Sequence, residues 1–201
     1  MTVRPAHASS RAWCAIALGT LAGTLLACSG GGGGDDSDPV TCTNLNFARA
    51  LATPAAGDVY LEQASASCNS VDVAVLVSNL SGIFTVSFDL AVPSALLSYQ
   101  SYTTGPLLLK GNPLTPPLVV VTPAAGSVQV TMTRFGPDAP VSASGSEALI
   151  TLHFTRVGPG AAALDFDTSG GSLVTERILD DNGATLSAVF APGHGGVVMV
   201  P

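Results

Sequence analysis

The most constraining feature of this chain is an alternation of apolar and polar residues between positions 71 and 90. Every second residue from 71 to 77 is a valine, and the alternation resumes from 84 to 90 with Phe, Val, Phe and Leu. An Asn-Leu-Ser-Gly turn at 79–82 separates the two runs. A period of two with β-branched and aromatic residues predicts two antiparallel strands, each with one buried face. Because two strands alone are only marginally stable in water, a second sheet must cover that face.

Comparable runs recur along the rest of the chain, divided by turns rich in Gly, Pro, Asn and Asp. The sequence predicts strands at 58–62, 71–77, 84–90, 118–122, 127–133, 147–156, 163–167, 173–179, 186–190 and 197–200. Residues 39–56 fit either a short helix or an extended lead-in. Asn182-Gly183 predicts a type I′ hairpin turn, in which both central residues have positive φ. About nine or ten short strands without a convincing helix predict an all-β fold, a β-sandwich of jelly-roll or immunoglobulin-like type.

The first 27 residues have the pattern of a signal peptide rather than of a folded segment. Arg4 and Arg11 supply a basic start, and the apolar stretch at 13–26 is too short for a comfortable membrane span. The stretch ends in Leu-Leu-Ala-Cys at 25–28, which resembles the lipobox of bacterial lipoproteins. That resemblance implies cleavage before Cys28 and attachment of lipid to it. Ordinary secretory cleavage nearby is the alternative.

The residues after Cys28 are typical of a flexible tether. Ser29 is followed by five glycines at 30–34 and by three aspartates before position 39. We therefore divide the chain into a signal peptide at 1–27, a lipidated cysteine with its tether and lead-in at 28–56, and a sandwich domain at 57–201. A serine after the lipidated cysteine resembles lipoproteins sorted to the outer membrane, so we expect a lipid-anchored protein of the bacterial cell envelope at that membrane.

The net charge of the chain after residue 27 restricts the class of ligand it can bind. Without residues 1–27, five Lys and Arg residues remain against fourteen Asp and Glu residues, a net charge of −9. This balance argues against nucleic acid as a ligand and against electrostatic binding to anionic lipid. The predicted link to the membrane is therefore the lipid on Cys28.

Cys42 and Cys68 are the two cysteines that remain once Cys14 leaves with the signal peptide and Cys28 carries lipid. An even pair in an oxidising compartment predicts a disulfide. It would join the N-terminal extension to the turn before residue 71. Two buried free thiols are the alternative.

No catalytic or metal-binding pattern emerges from the sequence. His153 lies among threonines on an outward strand face, and His194 lies in a Gly-His-Gly-Gly turn, with no nucleophile motif for either. No Cys/His group has zinc spacing. Asp180 and Asp181 fit a hairpin turn better than a calcium loop. We therefore expect a protein that is not an enzyme and that uses no metal or other cofactor.

Four segments, in this order, resemble a cohesin domain, the module that binds dockerins in cellulosome scaffolds. They are residues 73–97, 127–135, 144–166 and 174–200. The third places a Gly-rich loop before a long strand with a basic end, and the fourth has an Asn-Gly turn before the closing strands. The resemblance implies a cohesin-like sandwich and a dockerin-like partner protein. Leu90-Ala91-Val92-Pro93 stands where cohesins commonly carry Tyr-Asp-Pro.

A cohesin-like module would bind its partner through one sheet face, so the candidates are outward polar residues of two strands that line one sheet. They are Thr85, Ser87, Asp89, Gln129, Thr131 and Thr133. Thr85 falls where cohesins often place an aspartate that hydrogen-bonds the partner. An ordinary solvated sheet face rich in Thr and Ser is the alternative.

Two other functions remain open beside the protein-binding one. The chain could be a carbohydrate-binding module for envelope or extracellular polysaccharide, with Tyr99 and Tyr102 as candidates, because aromatic rings stack on pyranose faces. Trp13, the only tryptophan, lies in the signal peptide. A subunit of an outer-membrane secretion or pilus assembly is the third possibility.

Overall fold

Two antiparallel sheets form the folded part of the chain. A computed structural model describes residues 42–111, 113–168 and 176–201. The predicted signal peptide, Cys28 and the glycine tether lie outside the described residues, and so do positions 173–175 of one predicted strand. In the described ranges, no helix is long and apolar enough to cross a membrane.

Within these ranges the chain forms eleven strands and one short 3₁₀ turn, Leu107–Leu109. The strands are β1 Asn46–Arg49, β2 Val59–Ala66, β3 Ser70–Ser78, β4 Thr85–Ala91, β5 Leu97–Thr104, β6 Leu118–Ala124, β7 Ser127–Thr133, β8 Ser146–Arg156, β9 Gly160–Phe166, β10 Arg177–Leu179 and β11 Gly196–Val200.

One sheet has seven strands and the other has four. The larger follows the order β1-β11-β9-β4-β7-β6, with β10 also paired to β4, and the smaller follows β2-β3-β8-β5. The predicted all-β sandwich is therefore confirmed. The count differs because β1 and β5 were not predicted as strands, whereas residues 186–190 form no regular strand.

The two strands of the alternating stretch do not pair with each other, which corrects the predicted antiparallel pair. β3 lies between β2 and β8 in one sheet, and β4 lies beside β7 in the other. The turn at 79–82 therefore carries the chain between layers. The inward residues of both strands, such as Val75 and Phe88, are completely buried in one shared core. Two one-sided apolar strands can cover each other only from opposite sheets, and that burial decides the arrangement.

Residues 186–190 instead run along the start of β2. Val189 forms a parallel bridge with Asp58, and its carbonyl accepts a hydrogen bond of 2.9 Å from the N–H of Val59. Phe190 packs against Phe88 and Phe166, with ring centroids 6.3 and 5.4 Å away respectively. Leu186, Ala188 and Phe190 pack against the core, as their apolar character predicts, whereas Val189 is exposed. The single bridge at Val189 does not make this segment a strand.

The Asn-Gly segment is a hairpin turn, but it is not of type I′. An antiparallel bridge joins Leu179 to Thr185, and of the two central residues only Gly183 has a positive φ, 80°. The Asp180 carboxylate accepts hydrogen bonds from the N–H groups of Asn182 and Ala184, at 2.9 and 2.8 Å. These bonds stabilise a longer loop, so Asn182 needs no left-handed conformation.

Cys42 and Cys68 form the predicted disulfide, with Cα atoms 5.7 Å apart. Cys42 precedes β1, which pairs with β11 in the seven-stranded sheet, whereas Cys68 lies in the β2–β3 turn of the other sheet. The disulfide therefore links the two layers. β1 falls inside the stretch interpreted as a lead-in and takes the extended alternative.

Candidate functional site

The six predicted binding residues come together on the outer side of β4 and β7. The ladder pairs Thr85 with Thr133, Ser87 with Thr131, and Asp89 with Gln129. Directly opposed residues of antiparallel strands point to the same side of the sheet, and here the alternating partners Val86, Phe88 and Leu90 fill the core. We call the six residues the β4–β7 face.

Each cross-strand pair of this face is joined by a side-chain hydrogen bond. The hydroxyls of Thr85 and Thr133 lie 2.7 Å apart. Ser87 donates to the Thr131 hydroxyl at 3.4 Å, and the Gln129 amide donates to Asp89 Oδ2 at 3.4 Å. The last two bonds are long and therefore weak, so these groups keep capacity for further partners.

Outward orientation does not make all six residues accessible. Asp89 is only 2% exposed and Ser87 7%, whereas the other four are half-buried. Both buried residues lie on β4, which has β7 on one side and β9 and β10 on the other. A ligand on this face would meet mainly β7 and the ends of β4. The binding role of the six residues stays a prediction.

The edge strand β6 adds an apolar border that the sequence reasoning missed. Leu118 lies opposite Thr133 and Val120 opposite Thr131, and each apolar side chain is 47% exposed. The sequence Leu-Val-Val-Val hides which residues face outward, because its apolar residues do not alternate with polar ones. The surface thus combines hydroxyl groups with exposed apolar side chains.

Three carboxylates lie near the Asp89 end of the face. Asp89 Oδ1 and Glu176 Oε1 are buried and have no hydrogen-bond partner among the described residues. Burial raises the pKa of Glu176, and the negative charges of Asp167 and Asp89 raise it further, against one backbone hydrogen bond that lowers it. The N–H of Asp167 donates to the Asp89 carbonyl at 3.0 Å. We call Asp89, Asp167 and Glu176 the carboxylate cluster.

The outer side of the four-stranded sheet carries a different polar arrangement. His153 Nδ1 lies 2.7 Å from Asp72 Oδ1, and its Nε2 lies 2.8 Å from the Thr103 hydroxyl. Ser65 donates to Asp72 Oδ2 at 2.6 Å. Burial raises the pKa of Asp72, but the bonds from Ser65 and His153 and the charge of His153 outweigh it, so the pKa falls below its usual value. The network crosses all four strands and satisfies its members.

The two candidate tyrosines do not form an exposed aromatic platform. Tyr99 and Tyr102 lie opposite the core residues Phe154 and Leu152, so both rings are on the inner side of β5. Tyr99 is half-buried with its ring 6.1 Å from that of Phe154, whereas Tyr102 is 39% exposed. Tyr99 also lines a cleft of about 240 Å³ beside the β6–β7 turn. Burial, and then the neighbouring Tyr102, raises the pKa of Tyr99.

His194, the second histidine, has a structural role in its turn. The N–H of His194 donates to the Ala191 carbonyl at 3.0 Å, and its own carbonyl accepts from Leu61 at 2.9 Å. The Asp165 carboxylate holds the same turn through the N–H groups of Gly193 and Gly195, at 2.7 and 2.9 Å. Across the described ranges, no three His, Cys, Asp or Glu side chains are placed to hold a metal ion.

Comparison with solved structures identifies the architecture, although no family model and no curated sequence matches the chain. The second type II cohesin module of the ScaA scaffoldin from Acetivibrio cellulolyticus matches with a TM-score of 0.52 at 10% identity, over 68% of this chain and 86% of that chain. A type II cohesin domain from the cellulosome of the same organism gives 0.51 at 13% identity, over 72% and 94%. CaCohA2 from Clostridium acetobutylicum gives 0.50 at 18% identity, over 71% and 89%. The sandwich therefore has a cohesin-like fold.

Proposed function

We propose that this cohesin-like sandwich is a non-catalytic module that binds a partner protein through the β4–β7 face. The observation that carries the proposal is the composition of that face and its border. Three hydrogen-bonded polar pairs lie beside the exposed Leu118 and Val120. Asp89 is the one charged residue of the six, and the exposed Arg177 borders Ser87 from β10. Protein interfaces combine an apolar part, satisfied polar groups and few charges at their centre. By resemblance, the partner would be a dockerin-like protein.

The same proposal makes the protein a binder rather than an enzyme. Its most catalyst-like group, His153 with Asp72 and Thr103, lies on a sheet side where β3 and β8 pair on both edges. Backbone N–H groups there serve the ladders, so they are not free to stabilise a developing oxyanion. The four-strand network supports a structural role for His153.

We further propose that lipid on Cys28 holds this module at the cell envelope, at the outer membrane. The Leu-Leu-Ala-Cys sequence at 25–28 and the Gly/Asp-rich tether support this assignment. Several acyl chains contribute roughly 0.8 kcal/mol per buried methylene, enough for permanent attachment. Mass spectrometry of the mature protein should find acyl chains on an N-terminal Cys28. An unmodified N-terminus at another residue would exclude the anchor.

Partner capture from the native envelope tests the binding face. The bait is the chain from residue 28 with Cys28→Ser, and the captured protein is purified so that its affinity can be measured. Thr131→Arg places a long charged side chain in the centre of the β4–β7 face and should weaken binding at least tenfold. Thr151→Arg is the matched control, because Thr151 is a half-buried central threonine on β8 of the other sheet. Equal affinities of the two variants would refute the assigned face.

Polysaccharide binding is a second candidate, supported by the cleft beside Tyr99. Its lining combines the Tyr99 ring with the serines at 94, 98 and 127, a mixture of apolar surface and hydroxyls that suits a sugar. Glycan-array binding that is lost in Tyr99→Ala and in Ser98→Ala, with the fold retained by circular dichroism, would favour this function. Absence of glycan binding in the wild-type protein would remove it.

A further inference from the structure

We propose that the carboxylate cluster is the receptor for a lysine or arginine side chain of the protein partner. The site comprises Asp89, Asp167 and Glu176, with Gln129 beside Asp89. This inference rests on the proposed binding function of the β4–β7 face and specifies the chemistry at one end of it. The partner would place its cation against the half-buried Glu176 and Asp167, in the field of the buried Asp89.

The strongest support for a cation receptor is that the Asp89 carboxylate is buried and incompletely hydrogen-bonded. The Asp89 side chain is almost completely buried. Within the described ranges, Oδ1 has no hydrogen-bond partner and Oδ2 has only the 3.4 Å bond from Gln129. A buried carboxylate that lacks full hydrogen bonding costs stability and is uncommon in folded proteins. The charge of a cation bound nearby would offset part of that cost, which gives the partner a specific gain in free energy at this position.

Glu176 also has a buried carboxylate oxygen, Oε1, that lacks a hydrogen bond within the described residues. Repulsion from Asp167 and Asp89 adds to the burial. Among the described residues, neither Glu176 nor Asp89 forms a salt bridge.

Three of the five cations after residue 27 are engaged with other groups, and Arg156 is exposed at the end of β8 in the other sheet. Arg49 pairs with Glu62 and Lys110 with Glu147. The buried Arg134 donates to the carbonyls of Leu108 and Lys110. Arg177 follows Glu176 directly but is exposed and lies opposite Ser87 on the ladder.

A protein cation fits this cluster better than a metal ion. The three carboxylates are not placed to share one metal among the described residues. A guanidinium or ammonium can bond two or more separated carboxylates through several N–H groups. The charge of −9 on the chain after residue 27 also attracts a positively charged partner and speeds encounter.

The cluster predicts a pH dependence with a defined sign. In the free protein the raised pKa of Glu176 means that this carboxyl holds its proton to higher pH than an exposed glutamate. The charged groups that act on it are Asp167 after β9 and Asp89 on β4. The cationic Arg177 is next in the chain and lies opposite Ser87, and neutral Gln129 on β7 bonds Asp89. A bound cation favours the charged carboxylate, so binding releases protons and weakens as the pH falls.

A titration with a defined probe tests the receptor. Acetylated tetra-arginine amide is added to the ¹⁵N-labelled chain from residue 28 with Cys28→Ser, and the resonances are followed by NMR at pH 7.5 and pH 5. We expect localised shifts at Gln129 and Glu176, with weaker binding at pH 5. Asp89→Asn and Glu176→Gln should each reduce the affinity about tenfold, the equivalent of about 1.4 kcal/mol. Glu62→Gln, which removes one carboxylate from β2, should leave it unchanged.

Several outcomes would overturn the inference. They are shifts spread over the whole surface, equal loss of affinity in Glu62→Gln, tighter binding at pH 5, or the same local shifts produced by calcium chloride at lower concentration. The captured partner separates this inference from the proposed function. If Thr131→Arg loses the partner but Asp89→Asn and Glu176→Gln retain it, only the cation receptor fails. If Thr131→Arg retains the partner, the binding face itself fails.

Discussion

The outer sides of the two sheets carry similar residues but satisfy them differently. On the four-stranded sheet, Ser65, Asp72, His153 and Thr103 form one network with contacts of 2.6 to 2.8 Å. On the seven-stranded sheet, Asp89 has a single bond of 3.4 Å and a buried oxygen without a partner. Among the described residues, the polar groups of the four-stranded sheet are satisfied, whereas Asp89 on the β4–β7 face is not.

The difference teaches where to look for function on a sandwich of this kind. A satisfied polar network contributes to stability and leaves little to gain from a ligand. A face with weak bonds, crowded carboxylates and an exposed apolar border gains free energy when another molecule covers it. Proteins often retain such unfavourable groups at functional sites at the expense of stability.

The largest expected effect concerns the link between the layers that carry the two faces. Replacing both Cys42 and Cys68 with serine removes the connection between β1 and the β2–β3 turn. With 26 residues of separation, the chain-entropy relation gives a loss of about 3.5 kcal/mol in the free energy of unfolding. Urea unfolding of the wild-type and double-serine proteins measures it, and a difference below about 1 kcal/mol would contradict a disulfide role in stability.

A smaller change in stability, of opposite sign, is expected at the β4–β7 face. Asp89→Asn keeps the shape of the side chain, removes repulsion with Asp167 and Glu176, and provides an N–H donor for them. We expect stability to rise by about 1 kcal/mol, visible as a higher melting temperature. Asp181→Asn, in the exposed hairpin turn, is the control for the change in net charge. A lower melting temperature for Asp89→Asn would mean that Asp89 is already satisfied.

The smallest expected change in stability concerns the Asp72–His153 network of the four-stranded sheet, and it depends on pH. The lowered pKa of Asp72 means that its network stabilises the folded protein above the unfolded-state pKa of about 4. That contribution, roughly 0.5 kcal/mol for a partly exposed pair, disappears as the pH falls through the lower folded-state pKa. The advantage of the wild type over Asp72→Asn should therefore shrink between pH 5 and pH 2. An advantage that grows on acidification would reverse the assigned direction.

The sequence reasoning succeeded where a residue's environment repeats along the strand. The inward residues of β3, β7 and β8, such as Val73, Val130 and Phe154, are buried as predicted. It missed β5 because Tyr99 and Tyr102 lie three apart, where a bulge near Gln100 breaks the period of two. It missed β1 because an edge strand of four residues with one buried side chain has no periodic pattern.

At the candidate site, too, the sequence predicted what depends on local alternation and missed what depends on distant residues. Alternation alone was enough to place Thr85, Ser87 and Asp89 on one side of a strand and Thr131 on the same side of another. It could not predict that Asp89 would be buried, because burial on the outer side depends on neighbouring strands. It also could not bring Glu176 to Asp89, since the two residues are distant in sequence.

The amino-acid sequence by itself therefore determined the strand character, the parity of each strand and the identity of the core residues, since these follow from local alternation and the transfer of apolar side chains out of water. Only the tertiary structure decided that β3 and β4 belong to opposite sheets, that Leu118 and Val120 border the β4–β7 face, and that three carboxylates meet at its end. Those outcomes depend on long-range strand pairing, which a local pattern does not specify.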